Sequence, residues 1–272
     1  MAIITICSGS TPLPQFLVQF SPFSGADCPL APCRFELCAE EETLPAGLEK
    51  VTEVGVYAFY RRGKRIVISD GRAFAEADVQ GRAVHVSYPP IPEYSDTRTT
   101  FLMQQAYRYI AADAGQLQMH SAVVTYRGAG IAFCGISGAG KSTQARLWET
   151  YKHAGVINYD HPILLFDGDT VIAHGSPWGG KERYCVNRSV PLKAIFFVEQ
   201  AEENAVTRMS VGESFSHLFL HNYLIPMFPQ LDSRHCDTVE RIAMRIPVYR
   251  LKCTASEDAV HTVYRTVFGG TE

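Results

Sequence analysis

Long apolar runs are absent from this sequence of 272 residues, and so is any excess of positive charge. No run approaches the roughly 18 apolar residues that a helix needs to cross a bilayer. The 25 Lys and Arg residues are balanced by 28 Asp and Glu residues, which gives a net charge of −3. Non-specific binding to nucleic acid or to an anionic membrane surface requires a positive field that this balance does not supply. We therefore expect neither a nucleic-acid partner nor a membrane partner.

Cysteine is also sparse, with 8 residues in the whole chain. That density is too low for a disulfide-stabilised scaffold, which needs several bridges in a short chain. The first residues are apolar, but they lack the positively charged start of a secretory signal peptide. We expect reduced thiols and a cytoplasmic location.

Apolar and charged residues are present in ordinary proportions, 46% and 19%. These values indicate a folded globular protein, and the length suits one large or two modest domains. The first part of the chain shows the alternation of apolar and polar residues that is typical of strands, at 34–39, 54–60, 65–69 and 83–88. A proline-rich stretch follows at 88–92. We predict a smaller β-rich α+β domain over residues 1–95.

A basic stretch in this part contains Arg61, Arg62, Gly63 and Lys64. Its glycine favours a turn between two strands. Contact with a phosphate group is the alternative, because the stretch places three cations close together.

The remaining residues, 96–272, alternate between strand-like and helical patterns, as in an α/β domain. We predict helices over 97–114, 141–152, 213–223, 238–245 and 257–268. We predict strands over 122–125, 131–134, 156–158, 162–166, 170–174, 194–198 and 248–251. The sheet is expected to be mixed, because a hairpin turn at 167–169 joins two of these strands.

Residues 135–142 read GISGAGKS, which satisfies the phosphate-loop pattern G-x-x-x-x-G-K-[ST]. The motif follows an apolar strand and precedes a helix, the context in which such loops bind nucleotides. Glycines let backbone amides turn towards phosphate oxygens, and the helix N-terminus adds partial positive charge. The predicted nucleotide-binding residues are Gly135, Ser137, Gly138, Ala139, Gly140, Lys141, Ser142 and Thr143.

Two further residues are candidates for chemistry. Asp160 ends the short apolar strand that follows the loop and helix, where an acid can face Mg²⁺ or a nucleophile. His120 precedes the strand at 122–125, and its position alone equally suits a structural hydrogen bond.

These motifs resemble the catalytic domain of the HPr kinase/phosphorylase family, whose ATP-binding fold is related to phosphoenolpyruvate carboxykinase. The resemblance rests on Met119-His-Ser-Ala-Val-Val, on residues 127–143 and on Asn158-Tyr-Asp160, and it covers residues 117–192 well. It implies a phosphate-loop kinase domain with a mixed sheet over 96–272. It also implies that His120 supports the catalytic carboxylate of Asp160.

The sequence departs from the family at two places. Tyr159 stands where the family has the first of two acids, so either Asn158 helps to hold the metal or Mg²⁺ binds more weakly. The family's Glu-Val-Arg-Gly signature is absent, which makes the phosphocarrier protein an unexpected target. Residues 174–187 look instead like divergent relatives that phosphorylate other serine hydroxyls, and their candidate substrate contacts are Trp178, Lys181 and Arg183. Trp178 either packs under this stretch or forms a wall of the substrate site.

Together these features predict an ATP-dependent, Mg²⁺-dependent kinase acting on a serine-type hydroxyl of a peptide or protein. Lys141 would neutralise phosphate charge, Ser142 and Asp160 would hold Mg²⁺, and Asp160 would accept the hydroxyl proton. The alternatives are a non-catalytic nucleotide-binding regulatory module and a kinase of a free small molecule. The resemblance also leaves a homo-oligomer open.

Two weaker histidine and cysteine patterns favour structural roles. Cys28, Cys33, Cys38 and His85 could form a zinc site, but no C-x-x-C pair occurs among them. His217 and His221 share one face of a predicted helix, yet the glutamate of the H-E-x-x-H motif is missing.

Overall fold

The computed structural model describes residues 2–6, 15–24, 28–91 and 94–269. The chain divides into two compact units, one made of Met1–Gln116 and Leu224–His235, the other of Leu117–Tyr223 and Cys236–Glu272. Each unit contains a mixed β-sheet, so the architecture is mixed α/β. None of the described helices is both long and apolar enough to cross a bilayer.

The sheet of the first unit contains seven strands among the described residues: β1 (Ala2–Ile6), β2 (Cys33–Cys38), β3 (Glu49–Val54), β4 (Tyr57–Arg62), β5 (Arg65–Ser69), β6 (Phe74–Asp78) and β7 (Ala83–Ser87). Their order is β1-β2-β7-β6-β5-β4-β3. The first two pairs in this order are parallel and the other four are antiparallel. The unit also holds a 3₁₀ helix (Gln15–Phe23), a π-helical turn (Tyr94–Arg98) and helix α1 (Thr99–Asp113).

Helix α1 packs on β5, β6 and β7. Its fully buried side chains, which include Leu102, Met103 and Ala106, recur at helical spacing and cover the apolar face of the sheet. The first unit therefore extends to Gln116 and also includes residues 224–235. The sequence, by contrast, predicts the domain boundary at residue 95. The difference arises because a helix with one apolar stripe joins the sheet that buries this stripe.

The second unit contains nine strands within the described ranges: β8 (Leu117–Gln118), β9 (Ser121–Tyr126), β10 (Ala129–Cys134), β11 (Gly155–Asn158), β12 (Ile163–Asp167), β13 (Thr170–His174), β14 (Ser189–Gln200), β15 (Ala205–Arg208) and β16 (Val248–Cys253). Their order is β11-β9-β10-β14-β13-β12-β8, and β16 pairs with both β14 and β15. Strands β10, β14 and β16 run parallel to one another. The helices are α2 (Lys141–Lys152), α3 (Val211–His221), α4 (Pro229–Arg245, of which residues from Cys236 onward belong to this unit) and α5 (Glu257–Phe268).

Alternate residues of the central strands point to opposite faces of this sheet, as the period of a strand requires. Ala132 and Phe197 belong to one core cluster, which includes side chains of α3 and α4. Phe133 and Phe196 belong to the other, which includes side chains of α2 and α5. Helices thus cover both faces, and they leave the carboxyl ends of β10, β14 and β16 at one edge of the sheet.

The predicted bounds of α2 and α5 are confirmed, while several other elements differ. The strand expected over 54–60 is interrupted by a turn at Gly55, whose φ is +61°, and its ends belong to β3 and β4. Sequence analysis missed β1, β6, β8 and β15 as strands. Helix α4 begins at Pro229 rather than at residue 238.

We expect Phe133→Ala to destabilise the second unit by about 3 to 5 kcal/mol, because the ring is fully buried in the core and its loss leaves a cavity. The two tryptophans of the chain, Trp148 and Trp178, are both buried in this unit. Urea denaturation followed by tryptophan fluorescence therefore reports on it directly. Leu220→Ala is the control, since Leu220 is 74% exposed. Equal shifts of the urea midpoint for the two variants would contradict the assignment of Phe133 to the core.

Candidate functional site

Residues 135–140 form a loop that joins the end of β10 to the start of α2. Gly135, Gly138 and Gly140 have φ values of +144°, +82° and +105°, a region that side chains disfavour. A Cβ atom at Gly135 would also lie 3.1 Å from the carbonyl oxygen of Val198 on β14. A side chain at any of these three positions would therefore strain the path of the loop.

Lys141 is the first residue of α2 and is 7% exposed. Its Nζ donates hydrogen bonds to the carbonyl oxygens of Gly135, at 2.9 Å, and Ile136, at 3.1 Å. Burial lowers the pKa of Lys141, and the nearby carboxylate of Asp160 partly offsets this effect. The ammonium group thus lies inside the curve of the loop, where phosphate oxygens would meet it.

Asn158 fixes the turn that carries Asp160. Its Oδ1 accepts hydrogen bonds from the backbone amides of Asp160 and His161, both at 2.8 Å. Its Nδ2 donates to the carbonyl oxygen of Ser176 at 3.3 Å. Asn158 is fully buried, so its amide serves the protein rather than a metal ion. The structure thus gives the side chain of Asn158 a structural role in this turn.

Backbone pairing brings His120 to the same turn. The amide of Met119 donates to the carbonyl oxygen of Pro162 at 3.0 Å. The amide of Ser121 donates to the carbonyl oxygen of Asp160 at 2.8 Å. His120 lies between these two contacts, and its Nε2 lies 3.1 Å from Oδ1 of Asp160.

Asp160 is also contacted by His161, whose Nδ1 lies 3.0 Å from Oδ2. The two imidazole rings stack, with centroids 5.0 Å apart and planes 8° from parallel. Burial opposes ionisation of Asp160, but hydrogen bonds from His120 and His161 outweigh it and hold the pKa of the carboxyl well below its usual range. Asp160 is therefore ionised at neutral pH.

His120, Asp160 and His161 could together hold a metal ion, because one ligand atom from each lies within 4.8 Å of the others. They form the one group of this kind among the His, Cys, Asp and Glu side chains of the described ranges. Cys28, Cys33 and Cys38 are buried thiols, and Nε2 of His85 lies 2.8 Å from Glu42.

The loop at 175–187 packs against the side chain of Asp160. Gly180 has φ +65°, and a Cβ atom there would lie 2.7 Å from both Cβ and Oδ2 of Asp160. A Cβ atom at Gly175 would lie 2.0 Å from the carbonyl oxygen of Val186. Glu182 of this loop forms an ion pair with Arg146 of α2. Gly180 thus permits a close approach to the acid and Gly175 permits close packing within the loop, roles that the sequence pattern did not disclose.

A cavity of about 410 Å³ brings the loop, the acid and this second loop together. His120, Lys141, Asp160 and Lys181 line it, as do other residues of the two loops, of α2 and of the turn after β11: Ser137, Gly138, Gly140, Ser142, Thr143, Tyr159, Gly179 and Glu182. The structure therefore places most of the predicted site residues around one space. Gly135 and Ala139 belong to the same loop without lining this cavity.

Two predicted substrate contacts lie elsewhere. Trp178 is 4% exposed, and its backbone amide donates to Oγ of Ser176, so it packs under the loop rather than forming a substrate wall. Arg183 is exposed and does not line the cavity. Lys181 alone of the three faces the cavity.

A second cavity of about 410 Å³ shares Gly140 and Thr143 with the first. It lies at the carboxyl ends of β14 and β16, and its walls include Val198, Gln200 and Cys253. Gln200 donates to the carbonyl oxygen of Gly138 at 2.8 Å, which ties this wall to the loop. Small apolar side chains line this space together with threonine hydroxyls and glutamine amides, a mixture that is found in ligand sites.

Sequence analysis missed His161, Gly180 and Tyr159 as site residues. His161 directly follows Asp160, and this adjacency was the available signal. The Tyr159 hydroxyl donates to Glu149 of α2, and burial together with this hydrogen bond raises the pKa of Tyr159. The Tyr159 hydroxyl thus gives the carboxylate of Glu149 a hydrogen-bond donor at the edge of the cavity.

Comparison with known proteins shows a distant likeness. No family model and no curated protein sequence matches the chain. Among solved structures, the Hpr(Ser) kinase/phosphatase from Coxiella burnetii is similar with a TM-score of 0.33 and 9% sequence identity, over 55% of this chain and 94% of that chain. The relationship is distant. It assigns neither family nor activity to this chain, so a functional assignment depends on the site itself.

We expect Gly180→Ala to displace Asp160, because the new methyl group would overlap the carboxyl group and φ would be strained. Chemical shifts of the His120 and His161 imidazoles, followed by NMR, should change by far more than those of distant histidines. Gly212→Ala is the matched control, since Gly212 has open space around its Cβ position and an ordinary φ. Unperturbed imidazole signals in Gly180→Ala would contradict this close packing.

Proposed function

We propose that this chain is an ATP-dependent phosphotransferase that phosphorylates a serine-type hydroxyl of a peptide or protein and requires Mg²⁺. One observation carries the proposal: Lys141 and the Asp160 carboxylate, with its two imidazole partners, line one cavity beside the glycine loop. Phosphoryl transfer needs this combination of a polyphosphate cradle and an ionised acid.

The donor side of the site has room for a nucleotide. The backbone amides of residues 138–142 and the N-terminus of α2 supply partial positive charge, and Lys141 supplies a full charge. Nζ of Lys141 donates to two carbonyl oxygens of the loop, and phosphate oxygens would be acceptors for the same ammonium group. The adjoining cavity next to Gly140 and Thr143 would take the nucleoside.

Magnesium fits the same cavity. The hydroxyl of Ser142 and the carboxylate of Asp160 both line it, and oxygen ligands are those that Mg²⁺ prefers. When bound, the ion would neutralise charge on the β- and γ-phosphate oxygens.

The acceptor hydroxyl would enter between Asp160 and the phosphate loop. A bond forms between its oxygen and the γ-phosphorus of ATP, and the bond from that phosphorus to the bridging oxygen of ADP breaks. The hydroxyl proton passes to the carboxylate of Asp160. Because hydrogen bonds from both histidines keep this carboxylate ionised, it is ready to accept the proton at neutral pH, and they also fix its orientation. Lys181 would contact the transferred group or acidic residues of the acceptor.

Lys141→Ala and Asp160→Asn should separate binding from chemistry. Loss of the ammonium group should weaken ATP binding by about tenfold to a hundredfold and abolish turnover, because a charge-assisted contact to phosphate is removed. Asp160→Asn should retain ATP binding and lower phosphoryl transfer by about a hundredfold or more, because the proton acceptor is lost. Isothermal titration measures the first quantity, and transfer from γ-labelled ATP into serine-containing peptides measures the second.

Lys252→Ala and Asp167→Asn are the matched controls, since both side chains are exposed and lie outside the cavity. Unchanged transfer in Asp160→Asn would reject Asp160 as proton acceptor. ATP binding without transfer to any hydroxyl in the wild-type protein would instead favour the regulatory nucleotide-binding module.

His120→Ala should shift the pH dependence of transfer. Loss of its hydrogen bond raises the pKa of Asp160 towards its usual range, so the acidic limb of the kcat–pH profile should move to higher pH. His120→Gln keeps a donor and should restore part of the shift. A lower plateau with an unmoved acidic limb would show that His120 acts only on structure.

A further inference from the structure

The first unit contains a cavity of about 880 Å³ that the proposed phosphoryl transfer does not use. This volume lies within the range of about 300 to 1,000 Å³ that ligand sites occupy. Its lining comes from separate parts of the unit: the turn between β4 and β5, the turn between β6 and β7, the end of α1, and the start of α4. Every lining residue belongs to this one unit.

Three cations face this cavity, Lys64, Arg82 and Arg234, against one acid, Asp113. Arg234 lies 2.5 Å from Oδ1 of Asp113, so that pair is neutral. Lys64 and Arg82 are exposed, and neither forms an ion pair with an acid among the described residues. The cavity therefore carries an excess of two positive charges in a chain whose net charge is −3.

Lys64 differs from the basic residues around it, because those neighbours form ion pairs with acids. Arg61 forms an ion pair with Glu49, Arg62 lies 2.5 Å from Glu76, and Arg65 lies 3.6 Å from Glu76. Of the basic residues around this turn, Lys64 is left without an acid from the described part of the unit, and it is the one that lines the cavity.

The register of the sheet explains why the two unpaired cations lie together. Arg65 pairs with Asp78 across β5 and β6, and Asp78 pairs with Ala83 across β6 and β7. The two turns therefore project from the same end of the sheet. Apolar surface from Val79, Phe228 and Leu231 lies beside the charges, so the cavity offers cations next to an apolar wall.

We propose that this cavity binds an acidic segment of the acceptor peptide, with aspartate or glutamate carboxylates at Lys64 and Arg82 and an apolar side chain against Phe228 and Leu231. The identification of the peptide as acceptor rests on the proposed function. Two unpaired cations beside an apolar wall suit a short acidic peptide better than a nucleic acid, whose backbone needs an extended track of cations. Carboxylates form charge-assisted hydrogen bonds with both side chains.

Selection from a library of random twelve-residue peptides displayed on phage tests this site with the full chain and without nucleotide. Peptides retained by the wild-type protein should be enriched in Asp and Glu and should carry apolar residues. A fluorescein-labelled selected peptide should bind about tenfold more weakly to Lys64→Gln/Arg82→Gln, measured by anisotropy, and more weakly as salt rises. Lys50→Gln/Arg72→Gln removes the same charge outside the cavity and should bind as the wild type does.

Several results would overturn the proposal. Absence of acidic enrichment would do so, as would equal affinity of the wild-type protein and Lys64→Gln/Arg82→Gln for the selected peptide. Binding of a twelve-residue oligothymidylate with the same loss in this variant would assign the site to nucleic acid, and full displacement of the peptide by millimolar citrate would assign it to a small anion.

The site is separable from phosphoryl transfer. Lys141 lies in the other unit, so the Lys141→Ala variant should bind the selected peptide as the wild-type protein does. If the protein binds the peptide but transfers no phosphate to it or to its serine-containing extensions, the acidic-peptide site stands and its link to the acceptor fails.

Discussion

The candidate active site depends on one buried amide, that of Asn158. Its oxygen accepts two backbone hydrogen bonds, from Asp160 and His161, and its nitrogen donates to Ser176. These contacts set the turn after β11 and join it to the start of the loop at 175–187. A buried polar group with satisfied hydrogen bonds specifies one local geometry, because every alternative leaves a partner without a hydrogen bond in a low dielectric. The position of the carboxylate, the imidazoles and the covering loop follows from that turn.

The electrostatics of the site involve a compromise. Hydrogen bonds from His120 and His161 overcome the effect of burial and keep Asp160 ionised, and the same bonds make it a weaker base. Phosphoryl transfer tolerates a weak base, because its loose transition state depends mainly on positioning and on charge stabilisation. In the proposed phosphoryl transfer, the acid held between two imidazoles, within reach of the field of Lys141, would contribute through its position and its charge.

Local signals in the sequence predicted the glycine loop and helix α2, while contacts between distant segments could not be predicted from the sequence. The glycine motif and the helix after it depend on neighbouring residues, and the bounds of α2 were correct. Strands β6 and β15 were missed because their pairing partners, rather than their own alternation, stabilise them. The role of Gly180 was hidden for the same reason: its requirement for glycine comes from Asp160, twenty positions earlier, which only the folded chain brings near.

The same distinction explains why the proposed phosphoryl-donor site is easier to recognise in the sequence than the proposed peptide site. A phosphate loop is built from eight consecutive residues, so its spacing is visible in the chain. The cationic cavity of the first unit draws Lys64 and Arg82 from two turns and most of its apolar wall from residues 224–235, which are separated from those turns by more than a hundred residues of the second unit. In the sequence, Lys64 is one basic residue of a turn among several. Only the pairing of Arg61, Arg62 and Arg65 with acids distinguishes it, and this pairing is a property of the sheet.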